Sequence, residues 1–232
     1  MRNLILVRAG DNSLHSSWIE AKHRNFDIFI SYYGQTLGTF KEEADYYDCV
    51  TGLKWKPIAH YLYTHKALFD KYDAVWFPDD DLLSSPSLIS EMYDLFYQHN
   101  LWLAQPALAA GSYVQRRLTA QVPKATLRYT NFVDIMCPIF SRYALNLLGP
   151  TFSSSVSGWG LDFIWPHLLG NPEDRIAIID KTPVIHARAL KSGTFYKICS
   201  ELGVNHGKEM RHVMQKYGVL EQPTLKAYKA IS

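Results

Sequence analysis

Short apolar runs alternate with stretches of helical spacing from the first residues onward. Leu4-Ile5-Leu6-Val7 predicts a buried strand closing at Ala9-Gly10. Asp11-Asn12-Ser13 then offers caps for a helix carrying Leu14, Trp18 and Ala21. Phe26 to Ile30 predicts a second strand, stopped at Gly34. One long helix is expected from Lys54 to Tyr72, with Trp55, Ile58, Leu62 and Phe69 on one face and Pro57 in its first turn. Ala74-Val75-Trp76-Phe77 is a third strand, broken at Pro78. Ser85-Pro86 then starts a helix with Leu88, Ile89, Met92, Leu95 and Phe96 inward.

Further on, Leu101 to Ala104 predicts a strand and 127–140 a β-rich segment. Ser141 caps a short helix ending near Gly149-Pro150. Ile176 to Ile179 and Val184-Ile185 predict two more strands, and Asn205 to Tyr217 an amphipathic helix stopped by Gly218. This β-α-β-α order implies an α/β sheet with helices on both faces. Ligands of such sheets gather beyond the carboxyl ends of the strands, so the chemistry is expected after Val7, Ile30 and Phe77.

After Phe77 comes Pro78-Asp79-Asp80-Asp81. Three adjacent carboxylates repel one another and raise each other's pKa unless a cation joins them. In extended chain Asp79 and Asp81 share a face and Asp80 points elsewhere. Two carboxylates on one face suit Mg²⁺ or Mn²⁺, which keep open positions for substrate phosphates; a solvated, helix-capping turn is the plainer alternative. A phosphotransferase of the haloacid-dehalogenase kind places such a triplet near its N-terminus, with Thr or Val where this chain has Leu83. A GT-A nucleotide-sugar glycosyltransferase places its Asp-x-Asp in mid-chain, as here.

The blocks Gln105-Pro106-Ala107-Leu108, Phe132 to Arg142, Gly158-Trp159-Gly160-Leu161-Asp162-Phe163, and Ile179-Asp180 with Val184-Ile185-His186 follow in order. This succession resembles the "domain of unknown function 707" family over residues 3 to 190. That family usually carries Asp-Glu-Asp where this chain has Asp79-Asp80-Asp81, so the two outer carboxylates match. The resemblance implies a single GT-A-like domain with a mixed sheet flanked by helices. It would divide into a nucleotide-binding half (1–82), an acceptor and catalytic half (83–200) and a C-terminal helix (201–232).

Gly158-Trp159-Gly160-Leu161-Asp162 also looks like the Gly-Trp-Gly-x-(Glu/Asp) signature of several GT-A enzymes. Gly158 and Gly160 would let backbone approach a ligand, and Trp159 would offer its face to a sugar. Asp162 is expected as the general base on the acceptor hydroxyl, with Asp134 next in line on the acceptor side. Packing and helix-capping roles for Trp159 and Asp162 are the alternatives. His186, at a strand end, is expected to complete a metal shell of Asp79 and Asp81. Arg188 and Lys191 would neutralise the leaving diphosphate or lie solvated. For the nucleotide the candidates are Arg8 through Asp11, Tyr32 and Tyr33, Lys54 and Lys56, with Asp79 and Asp80.

Composition narrows the partners. Lys+Arg 24 against Asp+Glu 22 gives +2, which excludes a chain living on phosphate-backbone charge and so nucleic acid as partner. The aromatic content of 14% suits sugar faces and cores alike. Cys49, Cys137 and Cys199 are an odd, widely spaced set, so a reducing cytoplasm is the expected location. No run reaches a membrane span, and any membrane contact is expected to be peripheral. No Gly-x-Gly-x-x-Gly or Walker signature is present, which leaves dinucleotide oxidoreductases and P-loop enzymes without their defining residues. The favoured reading is a Mn²⁺- or Mg²⁺-dependent transferase moving sugar from a nucleoside-diphosphate donor, UDP favoured, to a glycan or lipid-linked glycan. A metal-dependent phosphotransferase and a non-catalytic carbohydrate-binding protein are the alternatives.

Overall fold

Strand β1 (Asn3–Ala9) is buried along its whole length, because its side chains feed two cores. In the computed structural model, which describes residues 1–20, 24–189 and 194–232, Leu4 and Leu6 enter one core and Ile5, Val7 and Ala9 the other. A strand covered on both faces needs this continuous apolar run. The chain continues through β2 (Phe26–Tyr32), β3 (Tyr46–Cys49), α1 (Trp55–Thr64), α2 (Lys66–Phe69), β4 (Ala74–Trp76), β5 (Leu82–Leu83) and α3 (Pro86–Gln98). Then come β6 (Leu103–Leu108), β7 (Leu127–Thr130), β8 (Ile139–Ser141), α4 (Arg142–Leu148), α5 (Leu161–Leu168) and β9 (Ile176–His186). The described chain ends with α6 (Thr194–Glu201), α7 (His206–Lys216) and β10 (Ala227–Ile231).

The sheet order is β10-β7-β9-β6-β8-β4-β1-β2-β3, with β5 added onto β9. β3, β2, β1 and β4 run parallel, β8 is antiparallel to both β4 and β6, and β7 is antiparallel to β9. This is the mixed α/β sheet in one domain that the sequence implies. Trp55 and Ile58 of α1, Leu145 of α4 and Trp165 of α5 cover one face. Ile89, Met92 and Phe96 of α3 cover the other.

Local chemistry sets several boundaries. Ser85 accepts from Leu88 N with Pro86 following, Ser141 accepts from Ala144 N, and Asn205 accepts from Lys208 N, each starting a helix. Gly218, at φ +80°, ends α7.

Other expectations need correction. The single helix over 54–72 breaks at His65, which leaves helical backbone, into α1 and α2. The helix after Ser13 is a 3-10 turn over His15–Trp18, and its Ala21 lies outside the described residues. The two late strands are one, β9, which bends at a register shift between Pro106 and Leu108 of β6 and then reaches β5. The segment 127–140 holds β7 and β8 with a loop between. Beyond α7 the tail returns as an edge strand, β10, beside β7 rather than staying helical.

The hinge of the β7–β9 pairing is a buried ion pair. Arg128 donates from Nε (2.9 Å) and Nη2 (3.0 Å) to Asp180, which is wholly buried and also accepts from Val122 N at 2.8 Å. Removing one partner strands a charge. Arg128→Met is therefore expected to lose about 3–5 kcal/mol of unfolding free energy, read from urea denaturation.

Candidate active site

The strand order reverses at β1, which has β2 on one side and β4 on the other. The crevice beyond β1 and β4 is the switch point where an α/β sheet leaves space for a ligand. The acidic triplet stands at this crevice, and each carboxylate has its own cation.

Asp79 meets Lys54 Nζ at 2.7 Å. Asp80, nearly buried, meets Arg188 Nη1 at 3.0 Å and accepts from Gly10 N (2.8 Å) and the Tyr33 hydroxyl (3.2 Å). Asp81 faces His186 Nε2 at 3.3 Å. Three separate segments, the start of α1, the chain after β9 and the end of β9, thus neutralise three consecutive residues. The Leu82–His186 pairing of β5 with β9 carries the imidazole to Asp81.

Lys54 also donates to the carbonyls of Ile135 (2.9 Å) and Met136 (2.8 Å), which occupies all three ammonium hydrogens. The Asp79 side chain keeps 43% of its surface open, yet it sits among acids in a concave crevice. Lost hydration pushes its carboxyl up to about 6, against the pull of Lys54 and with a further push from Asp81.

His186 Nδ1–H donates to the Tyr113 carbonyl at 2.7 Å, which leaves Nε2 to turn toward the acids. Burial opposes its charge, but Asp81 and the Tyr113 carbonyl outweigh that and raise its pKa. Asp81 Oδ1 is buried without a hydrogen-bond partner. Nε2 faces Asp81 Oδ2 in this pair; once deprotonated, it and the orphaned Asp81 Oδ1 would offer one nitrogen and one oxygen to a divalent cation whose remaining positions go to substrate phosphate. Among the described residues, however, no three His, Cys, Asp or Glu side chains cluster closely enough to hold a metal by themselves. Asp79, turned to Lys54, does not join Asp81 and His186 in such a cluster.

The front-end residues are mostly engaged by the protein. Arg8 is buried and donates to Ser31 Oγ (2.6 Å) and to the carbonyls of Val50 (2.7 Å) and Gly52 (2.8 Å), so it braces the loop ahead of Lys54 and presents nothing to a nucleotide. Burial depresses its pKa. Asp11 accepts from the Tyr32 hydroxyl and from Gln35 N, joining the loops after β1 and β2; the Tyr32 bond lowers its pKa. Tyr32 is buried and cannot stack on a base. Tyr33 is half-buried with its ring over Gly10, where a Cβ would lie 2.9 Å from the ring, and its pKa is raised by burial and Asp80. Lys56 is exposed on α1, and Lys191 lies outside the described residues.

A second acidic group lies beside the first. Asp134 and Asp162 line one recess with Gln115, Arg116, Ile135 and Trp159, of about 20 Å³, room for one water-sized group. Asp162 is in the first turn of α5, buried, and accepts from Gly160 N at 3.2 Å. Burial and then Asp134 push its carboxyl up to about 7, partly offset by Arg116 and the N–H groups of Gly160 and Phe163. Burial likewise raises Asp134, against the Met136 N–H and Arg116. Arg116 rests over the rings of Phe163 (5.2 Å) and Phe132 (5.5 Å). It was missed in the sequence because its partners, Phe132 and Phe163, are far from it along the chain.

The glycine motif differs from expectation. Gly158 (φ +89°) is pressed on Trp55, where a Cβ would collide with the indole, and a Cβ on Gly160 (φ +97°) would lie only 3.0 Å from the Met210 carbonyl oxygen. Both serve the turn and its packing rather than a ligand's approach. Trp159 lines the recess but stacks on His206 at 5.1 Å, so the protein already covers part of the indole.

No family model and no curated protein matches the chain. The resemblance to the "domain of unknown function 707" family therefore has support only in the glycosyltransferase-like fold. Among solved structures the chain is similar to S. aureus TarS at TM-score 0.53 and 7% identity, over 94% of this chain and 43% of that one. Residues 1–349 of S. aureus TarS give 0.55 and 11%, over 95% and 70%. The chain has the GT-A-like mixed α/β fold that it shares with these structures. It spans 43% of the longer TarS chain.

The raised pKa of Asp162 makes a signed prediction. Between 3.8 and about 7 the unfolded chain ionises this residue while the folded one holds its proton. Stability is therefore lost as pH rises through that window, by a few kcal/mol on the order-of-magnitude scale of the shift. Asp162→Asn lacks this term and should gain on wild type from about pH 4 to pH 7 in urea midpoints. Arg116→Gln should move the Asp162 titration, followed by carboxyl ¹³C NMR, to higher pH.

Proposed function

We propose that the chain is a divalent-metal-dependent glycosyltransferase moving a sugar from a nucleoside-diphosphate donor to a hydroxyl of a glycan or lipid-linked glycan. The observation that carries this is the pairing, on one glycosyltransferase fold, of a cation-ready Asp81–His186 pair at the switch-point crevice with a buried carboxylate titrating near neutrality. A uridine diphosphate donor is favoured.

In this reading Asp81 and His186 hold Mn²⁺ or Mg²⁺, and Asp79 faces the same crevice. The ion, when bound, supplies positive charge to the diphosphate. Arg188, after β9, lies beside Asp80 and lends further charge to the departing group. Asp162 accepts the proton of the acceptor hydroxyl as that oxygen bonds to the anomeric carbon and the bond from that carbon to the diphosphate breaks. A carboxyl titrating near 7 is matched to this task, since it is ionised enough to act and basic enough to take the proton. Burial, and then the Asp134 carboxylate, keep it there, and Arg116 limits the rise. Trp159 borders the recess that receives the hydroxyl.

Two outcomes test the reading. Asp81→Ala should abolish the Mn²⁺-dependent thermal shift given by UDP, while a shift equal to wild type removes the metal assignment. Asp162→Asn should bind nucleotide normally and lose turnover on the order of 10²–10⁴-fold, assayed as UDP released with new glycoside formed. Retention of more than about a tenth of wild-type turnover excludes the base role.

A further inference from the structure

A cavity of about 430 Å³ lies where α5 faces the C-terminal tail, and neither the fold nor the proposed transfer uses it. Its floor is the buried Phe163 and Pro166 with half-buried Tyr228, and its rim carries exposed His167, Asn171 and Lys226. Asn131 closes one wall by donating to the Thr224 carbonyl (2.9 Å) and accepting from Lys226 N (2.8 Å). The Lys226 ammonium sits 4.7 Å from the centre of the Tyr228 ring.

Phe163 belongs to two places at once. Its ring lies 5.6 Å from Phe132 and 5.2 Å under the Arg116 guanidinium, on the side of the Asp134–Asp162 recess, and it also lines this cavity. Asp162, the residue proposed to take the acceptor's proton, and Phe163, which lines a space of ligand size, are thus neighbours on α5.

The lining is matched to one kind of molecule. A wholly apolar ligand would strip water from His167, Asn171 and Lys226 without replacing their hydrogen bonds. A bare anion would leave the ring-lined floor unused. A sugar ring has an apolar C–H face for Phe163, Pro166 and Tyr228, and hydroxyls that both donate and accept for the amide and imidazole. None of the lining residues is acidic, although Glu173 is near enough to add to burial in raising the pKa of Tyr228. A saccharide bearing an acid group is therefore admitted beside Lys226.

We infer that this cavity is a distal acceptor subsite, holding a saccharide unit removed along the chain from the hydroxyl that reacts at Asp162. The inference rests on the glycosyltransferase reading for the word acceptor, but on the cavity alone for saccharide binding. The whole chain, ¹⁵N-labelled, would be titrated with cellotetraose, with tetragalacturonate and with UDP. Backbone amides of Val219, Thr224 and Tyr228 would report the cavity, and those of Ile135 and Trp159 the recess.

Either oligosaccharide should move the tail amides with a dissociation constant on the order of millimolar, and UDP should not. Tyr228→Ala should weaken this about ten-fold while Tyr228→Phe keeps it, because the ring and not the hydroxyl makes the floor. His167→Gln, on α5 rather than the sheet edge, guards against a folding defect at β10 and should also weaken binding. Silence of the tail amides with both oligosaccharides, tail shifts with UDP alone, or shifts undiminished in both Tyr228→Ala and His167→Gln overturns the subsite. Tail shifts that persist while Asp162→Asn keeps full turnover would overturn the catalytic assignment and leave the saccharide site standing. Tail silence with an inactive Asp162→Asn would do the reverse.

Discussion

Three consecutive carboxylates at the end of a buried strand constrain everything around them. Adjacent negative charges in a crevice cannot be hydrated as they are in bulk water, so each needs a compensating group at contact distance. The chain provides Lys54, Arg188 and His186 from three different places, and these contacts dictate how its loops close. Arg8 pins the carbonyls of Val50 and Gly52, which sets the loop from which Lys54 departs. β9 runs past the main sheet to pair with β5 because His186 and Arg188 must reach the triplet. The crevice is thus built by electrostatic compensation laid on an apolar sheet.

The same logic joins the two acidic groups. Lys54 grips Asp79 with one hydrogen and the carbonyls of Ile135 and Met136 with the others. The segment so held carries Asp134, whose carboxylate accepts from Met136 N and whose own N–H meets the buried Gln105. A single ammonium therefore ties the acidic triplet to the segment that carries Asp134. Shifting either side would break bonds on the other.

Much of this was legible in sequence, and the rest was hidden for physical reasons. The strands buried on both faces announce themselves as apolar runs, and Ser85-Pro86, Ser141 and Asn205 mark helix starts by their capping chemistry. The edge strands did not, because Tyr46-Tyr47-Asp48-Cys49 is only half-buried and Ala227 to Ile231 is mostly open to solvent, so neither needs a continuous apolar run. The acidic triplet, Asp134 and Asp162 stood out by type and place. Their pairing did not: Lys54 and Arg188 read as groups for a ligand's phosphate rather than as partners of Asp79 and Asp80, and Arg116 gives no signal until the fold lays it over Phe132 and Phe163. The glycines of Gly158-Trp159-Gly160 look the same in sequence whether backbone must approach a ligand or, as here, Trp55 and α7. Arg8 misleads for a related reason. A cation after a strand suggests an anion site, whereas this one is consumed by carbonyls.

The two acidic groups differ in one respect that separates their chemistry. In the triplet every carboxylate touches a basic side chain. In the recess, among the described residues, neither Asp134 nor Asp162 has a basic side chain at ion-pair distance, and Arg116 acts only through space while its guanidinium lies over two rings. A carboxylate paired with a basic group offers its lone pairs to that group, which is the geometry of cation binding. An uncompensated buried one retains its proton toward neutrality, which suits exchanging a proton with a hydroxyl. Contact compensation on one side of Lys54 and its absence on the other thus give two acidic groups of different character, built from the same residue type.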